Sequence, residues 1–230
     1  MIRMSESRAA AHPRYNALLA EWCELLRRCR GGAGNTGEGA PDPAVYGADL
    51  LERWAEPQRR YHTLDHLIAV LERTTELTAY AHDPDAVALA AWFHDAVYRP
   101  DRSENEERSA NLAERALAEA GVDPERTAEV ARLVRLTVGH DPAEDDLNGQ
   151  VLCDADLAVL AGSPAAYADY AAAVRKEYAF VPDEDFRAGR SEVLRHLLAL
   201  PRLFATPYGR DRWEDIARRN VGTELELLEA

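Results

Sequence analysis

The chain has 230 residues, 47% of them hydrophobic and 30% charged, which admits a globular core and excludes wholesale disorder. A net charge of −14 and a pI near 4.9 exclude a duplex nucleic acid partner, which needs a basic face to displace counterions. No apolar run approaches the ~18 residues of a membrane span, and the opening MIRMSESRAAAHPRYN lacks a signal-like apolar segment, so a cytoplasmic location is expected.

In chain order, Leu18, Leu19, Trp22, Leu25 and Leu26 recur at three- and four-residue steps and predict a helix over residues 15–30. The glycine-rich segment 31–43 reads as a flexible loop; no GK[ST] follows it, so it is not a phosphate-binding loop. Helices are expected over 44–54, where Pro57 follows, and over 63–80, where Leu67, Val70, Leu71 and Leu77 form a stripe. Asp83-Pro84 and Asp123-Pro124 are N-caps followed by proline at the first helical position, opening helices to about 95 and 138. Ser103 with Glu106 three residues on suggests a capping box. Further helices are expected over 151–160, 164–178, 183–200 and 211–228. With no sustained two-residue alternation and no internal repeat, the expected fold is all-α: one domain over 1–230, with the N-terminal helix on its edge and further helices at the C-terminus.

Cys23, Cys29 and Cys153 are too few and too far apart for a disulfide framework or a thiolate zinc site, and are expected to be reduced thiols. Lys176 is the only lysine, so nearly all positive charge sits on arginine.

The histidines carry the chemistry. His62 and His66 in YHTLDH are one helical turn apart, close enough to serve one site. His94-Asp95 interrupts an apolar stretch, AAWFHDAVY, where a charged pair is costly unless partnered or bound to metal. His82-Asp83 and His140-Asp141 also spell the dipeptide, but proline follows each, so their aspartates read as cap or turn residues. His140 ends an apolar helix and is free to turn back into a cavity. In VLCDADLAVL, Asp154 and Asp156 are about 200° apart on a helix, so only one can face a given site.

The order His66, His94-Asp95, then a late aspartate resembles the HD superfamily of metal-dependent phosphohydrolases. YHTLDH is similar to the YHNxxH segment of cyclic-nucleotide phosphodiesterases, and CDADLAVL resembles their CDLSAI segment, which leaves Asp154 and Asp156 both eligible. Asp156 is the preferred ligand because it sits deeper in the apolar run. FHDAVYRPDRSENEERSA and LFATPYGRDRWEDIARRN look like a small group of predicted HD hydrolases, and the likeness covers about 54–220, with the metal-site core over 54–160. Two departures stand out. Ala96-Val97-Tyr98 replaces the glycine and lysine that often follow the dipeptide, and His140 is the one further histidine before Asp156, which favours a single metal.

The resemblance implies a helical bundle in which His66, His94, Asp95 and Asp156 hold one divalent ion, of Mn, Fe, Co, Ni, Zn or Mg. It implies hydrolysis of a small phosphate ester, with Asp95 as ligand and proton acceptor to water and His62 as proton donor to the leaving oxygen. Arg60, Asn105, Glu106 and His140 are the expected substrate contacts, Arg59 is expected at the loop surface, and Arg218 and Asn220 would close the far wall. The expected partner is a small phosphate-bearing anion, with a homodimer as a further option. An HD-fold oxygenase with paired irons and a non-catalytic metal or nucleotide sensor are the competing expectations.

Overall fold

A computed structural model describes residues 7–30 and 41–230. The expected loop at 31–43 therefore lies outside the described residues up to position 40. Eleven α-helices follow in order among the described residues: α1 Tyr15–Cys29, α2 Pro43–Trp54, α3 Leu64–Glu76, α4 Pro84–Phe93, α5 Asn105–Glu119, α6 Pro124–Leu136, α7 Leu147–Leu157, α8 Pro164–Glu177, α9 Asp183–Ala199, α10 Pro207–Arg212 and α11 Glu214–Glu229. Short 3-10 turns follow α3 and α7, and no strand forms among the described residues. The all-α expectation holds.

Five helices start by one device. Asp42, Asp83, Asp123, Ser163 and Thr206 each accept a backbone N–H from the first turn of α2, α4, α6, α8 and α10, and proline occupies the first helical position of each. Proline there removes an N–H that had no partner anyway, and each cap contributes about 1 kcal/mol. The capping box expected at Ser103 does not form. α5 begins two residues later, after Glu104, with no side-chain cap. Gly121, at φ 82°, ends α5 and lets Val122 N–H reach the Leu117 carbonyl at 2.9 Å.

Helix α4 is apolar all round, and it is buried on every side: Ala86, Val87, Leu89, Ala90, Ala91, Trp92 and Phe93 are all in the core. Helices α3, α6 and α7 pack against it. α1 reaches further inward than an edge helix would. Its Trp22 ring sits 5.3 Å from Trp92 and 5.9 Å from Phe93, both on α4. Gly47 makes this possible, because a Cβ there would come within 2.5 Å of the Trp22 ring. The C-terminal helices form a second layer, in which α11 packs on α9, α10 and the turn after α7.

Among the described residues no single helix is long and apolar enough to cross a membrane, and the one pair that together reaches that length, Leu147–Ala161 with Pro164–Glu177, is bent by 105°. All three cysteines are buried and free, and burial pushes the Cys29 thiol up to about 12.

Candidate metal centre

The central position of α4 delivers the dipeptide to the middle of the molecule. The helix ends at Phe93, and His94 follows as its C-cap, 1% exposed. His94 Nδ1 lies 2.8 Å from the Ala91 carbonyl and donates to it, which turns Nε2 toward His66 and Asp156. His66, in the first turn of α3, brings its Nε2 to 3.3 Å from that of His94. Asp156, near the end of α7, places Oδ1 3.1 Å from His66 Nε2 and 3.6 Å from His94 Nε2.

Metal–ligand bonds of about 2.0–2.2 Å put neighbouring donors ~2.8–3.1 Å apart around an octahedral ion and ~3.3–3.6 Å apart around a tetrahedral one. The three separations fall in that span. Two imidazole nitrogens and a carboxylate oxygen suit a divalent transition ion, and His66, His94 and Asp156 form a group that can hold one. Asp95 stands beside the three. Its Oδ2 is 3.4 Å from His94 Nε2, 4.0 Å from His66 Nε2 and 3.7 Å from His62 Nε2, so it lies between the group and the outer histidine.

Burial shapes the charges. It pulls the His66 imidazole down. It pulls His94 down as well, but Asp95 and Asp156 outweigh it and raise that imidazole to about 9. Burial alone would raise Asp156, yet His94, His140 and His66 together hold its carboxyl well below the usual range. Aromatic rings fix the imidazoles in place. Trp54 lies 5.3 Å from His94, and Tyr61 lies 4.7 Å from both His62 and His66.

His62 precedes α3, and its ring sits 5.6 Å from His66. Its Nδ1 is 2.7 Å from Glu177 Oε2 at the end of α8. Glu177 Oε1 accepts three backbone N–H groups in a row, from Arg60, Tyr61 and His62, at 2.8–3.0 Å. Tyr98 lies tilted against His62, with ring centroids 4.0 Å apart, and donates its hydroxyl to Glu177 Oε2. Burial would raise the Glu177 carboxyl, but His62 and the backbone donors hold it down to about 2. Sequence reasoning missed Glu177. The signal was a register: Tyr167, Tyr170, Val174 and Glu177 follow three- and four-residue steps, placing the glutamate on the inward stripe of α8.

The two late aspartates divide as their angular separation requires. The reason for preferring Asp156 does not hold, however, because Asp154 is the deeper of the two at 1% exposed. Asp154 accepts from Ala205 N–H, Thr206 N–H and the Thr206 hydroxyl at 2.6–2.8 Å, tying α7 to the segment before α10. Asp156 faces the histidines. His140 also comes to the site: it takes the left-handed conformation, φ 48°, and its Nε2 lies 2.8 Å from Asp156 Oδ2.

Other expected site residues have partners of their own. The Arg60 guanidinium turns back on the carbonyls of Pro57 and Arg59. The Asn105 amide is spent on Arg99 and Arg102 backbone groups, and Glu106 is half-buried with no ion pair among the described residues. Arg59, expected at the surface, is 3% exposed. It donates to the His62 and Ala96 carbonyls and packs over Trp54 and Tyr98, because the chain needs a long cation to brace two loops across the core. Arg218 and Asn220 hold carbonyls at 198–200 and 160–162, joining C-terminal elements rather than lining the histidine cluster. No family model, no curated protein and no solved structure matches the chain, so the chemistry of this centre is read from its own side chains.

Proposed function

We propose that the chain is a metal-dependent hydrolase of a small phosphate ester, built on the HD plan that its H…HD…D order resembles. The observation that carries this reading is the pairing of two neighbouring parts: a His66, His94 and Asp156 group able to hold one divalent ion, and a histidine whose outer nitrogen is left for proton transfer. An ion bound there would polarise a phosphoryl oxygen and make water more acidic. The rest is done by side chains. His94 and His66 would offer their Nε2 atoms to the ion from helix ends, His94 giving up its proton as the ion binds. Asp95 Oδ2 is placed to accept a proton between the group and His62. Glu177 fixes the His62 Nδ1–H, so that Nε2 carries the exchangeable proton toward a leaving oxygen.

The reading is tested by elemental analysis of the native protein and Asp156→Ala, with phosphate release followed over nucleotides and sugar phosphates. Metal near one ion per chain, lost in the variant, and turnover of at least one ester are expected. A metal-loaded protein inert towards every ester would leave the sensor reading in its place. Two irons per chain with oxygen uptake would favour the oxygenase.

A further inference from the structure

Tyr98 also lines a cavity of about 520 Å³ whose wall is dominated by arginine: Arg53, Arg99, Arg102, Arg108 and Arg115. Glu56 is the one carboxylate among its described lining residues. Carboxylates outnumber cations 41 to 27 in this chain, so partners for arginine are abundant. Elsewhere they are used; Arg132 and Arg135 each bridge two acidic side chains. Here Arg53 pairs with Asp49 and Arg99 approaches Asp101 at 3.7 Å, while Arg102, Arg108 and Arg115 make no ion pair among the described residues. Three guanidinium groups without a carboxylate partner at one hollow leave a local excess of positive charge that an anion would offset.

The hollow is built from three elements. Arg108, Leu112 and Arg115 share one face of α5 at four- and three-residue steps, Arg53 comes from the end of α2, and Arg99 and Arg102 come from the loop after the His94-Asp95 pair. That loop is pinned. Asn105, 6% exposed, accepts from Arg99 N–H at 3.0 Å and donates to the Arg99 and Arg102 carbonyls at 2.9 and 3.1 Å. Ser109 holds Val97 from both sides. Asn105 thus works as a positioning residue for two arginines.

We infer that this hollow is a binding site for a compact polyphosphate group, separate from the metal centre. Guanidinium forks match phosphoryl oxygens two at a time, and the volume is in the range of small-ligand sites. Leu112 and Tyr98 supply a small apolar floor. The chain of phosphates can come from an inorganic polyphosphate or from a nucleotide. Tyr98 belongs to both places, lining the hollow while its ring rests on His62.

The test is calorimetric titration of the full chain with inorganic tripolyphosphate and with adenosine triphosphate, in chelator and at low salt. Four proteins are compared: native, the pair Arg102→Gln with Arg108→Gln, His94→Ala, and Arg27→Gln as a charge control on α1. Both arginines of the pair are exposed, so the fold is expected to survive, as a thermal melt would confirm. Native protein, His94→Ala and Arg27→Gln are expected to bind alike, and the paired variant at least tenfold more weakly. Equal affinity for the two ligands assigns the site to the phosphate chain alone; tighter nucleotide binding adds the base to the apolar floor. No binding by the native protein, equal binding by the paired variant, or an equal loss in Arg27→Gln overturns the inference. Chelator and His94→Ala both remove the metal centre, so this result is independent of whether the proposed hydrolase turns over.

Discussion

Asp156 serves two directions at once: Oδ2 takes His140 Nε2 at 2.8 Å, while Oδ1 faces His66 and His94 at 3.1 and 3.6 Å. His140 holds this contact from a left-handed backbone, φ 48°, which costs a residue with a Cβ roughly 1 kcal/mol. His140→Gly and His140→Ala are both expected to weaken metal affinity about tenfold or more, as loss of a partner that orients a ligand does. The glycine variant should be the more stable of the two by about 1 kcal/mol, since only it relieves the backbone. Chelator competition and urea melts measure the two effects. Affinity within twofold of native would remove His140 from any supporting role.

The neighbouring aspartates separate stability from metal binding. Asp154→Asn keeps one acceptor oxygen but loses charge against three donors, so a loss of about 1–3 kcal/mol is expected with metal content unchanged. Asp156→Asn should lose metal while its urea midpoint in chelator stays near native. If the two variants exchange these behaviours, the assignment of the ligand is wrong.

The helices were legible because their starts are written in short local chemistry. Asp83-Pro84 and Asp123-Pro124 are caps in the sequence and caps in the fold. The reading failed where polar residues are buried. Asn148, Gly149 and Gln150 form the first turns of α7 but carry no apolar signal, so the helix was expected to begin at residue 151. Residues 211–228 were read as one helix; Thr206 instead caps a separate α10, and Trp213 joins it to α11. At the site, residues that share one local motif were visible, as with His62, His66, His94 and Asp95. Glu177 meets His62 across 115 positions, and no local pattern encodes a contact of that range.

Glu177 gives a pH prediction with a definite sign. Its folded value near 2 lies below the ordinary 4.5, so the stabilisation is whole above about pH 4.5 and is lost as pH falls from there to 2. Glu177→Gln is expected to lower stability at pH 7 by about 3 kcal/mol and to flatten the stability profile in that acid window. If His62 is the proton donor, kcat should also fall ~100-fold while metal content holds. An unaltered acid profile in the variant would show that Glu177 is not the charged anchor of the segment at 60–62.

Arg59 sets the distance between the two loops that form the site. One guanidinium nitrogen donates to the His62 carbonyl at 3.0 Å and another to the Ala96 carbonyl at 3.3 Å, so a single side chain ties the segment before α3 to the segment after Asp95. Its plane packs over Trp54 at 5.2 Å and Tyr98 at 5.5 Å, and both rings also touch site histidines. Lysine carries the charge but has no planar fork to reach two carbonyls and lie on two rings together. Arg59→Lys is therefore expected to cost about 2 kcal/mol, and Arg59→Ala about 3 kcal/mol or more, because it leaves two buried carbonyls without donors and opens a cavity. Both variants should lose metal affinity along with stability, since the segment leading into His66 and the segment following His94 would no longer be held at a fixed separation. Chemical denaturation and metal titration on the same samples decide it, and a lysine variant as stable as the native protein would show that charge, rather than the fork, is what the two loops require.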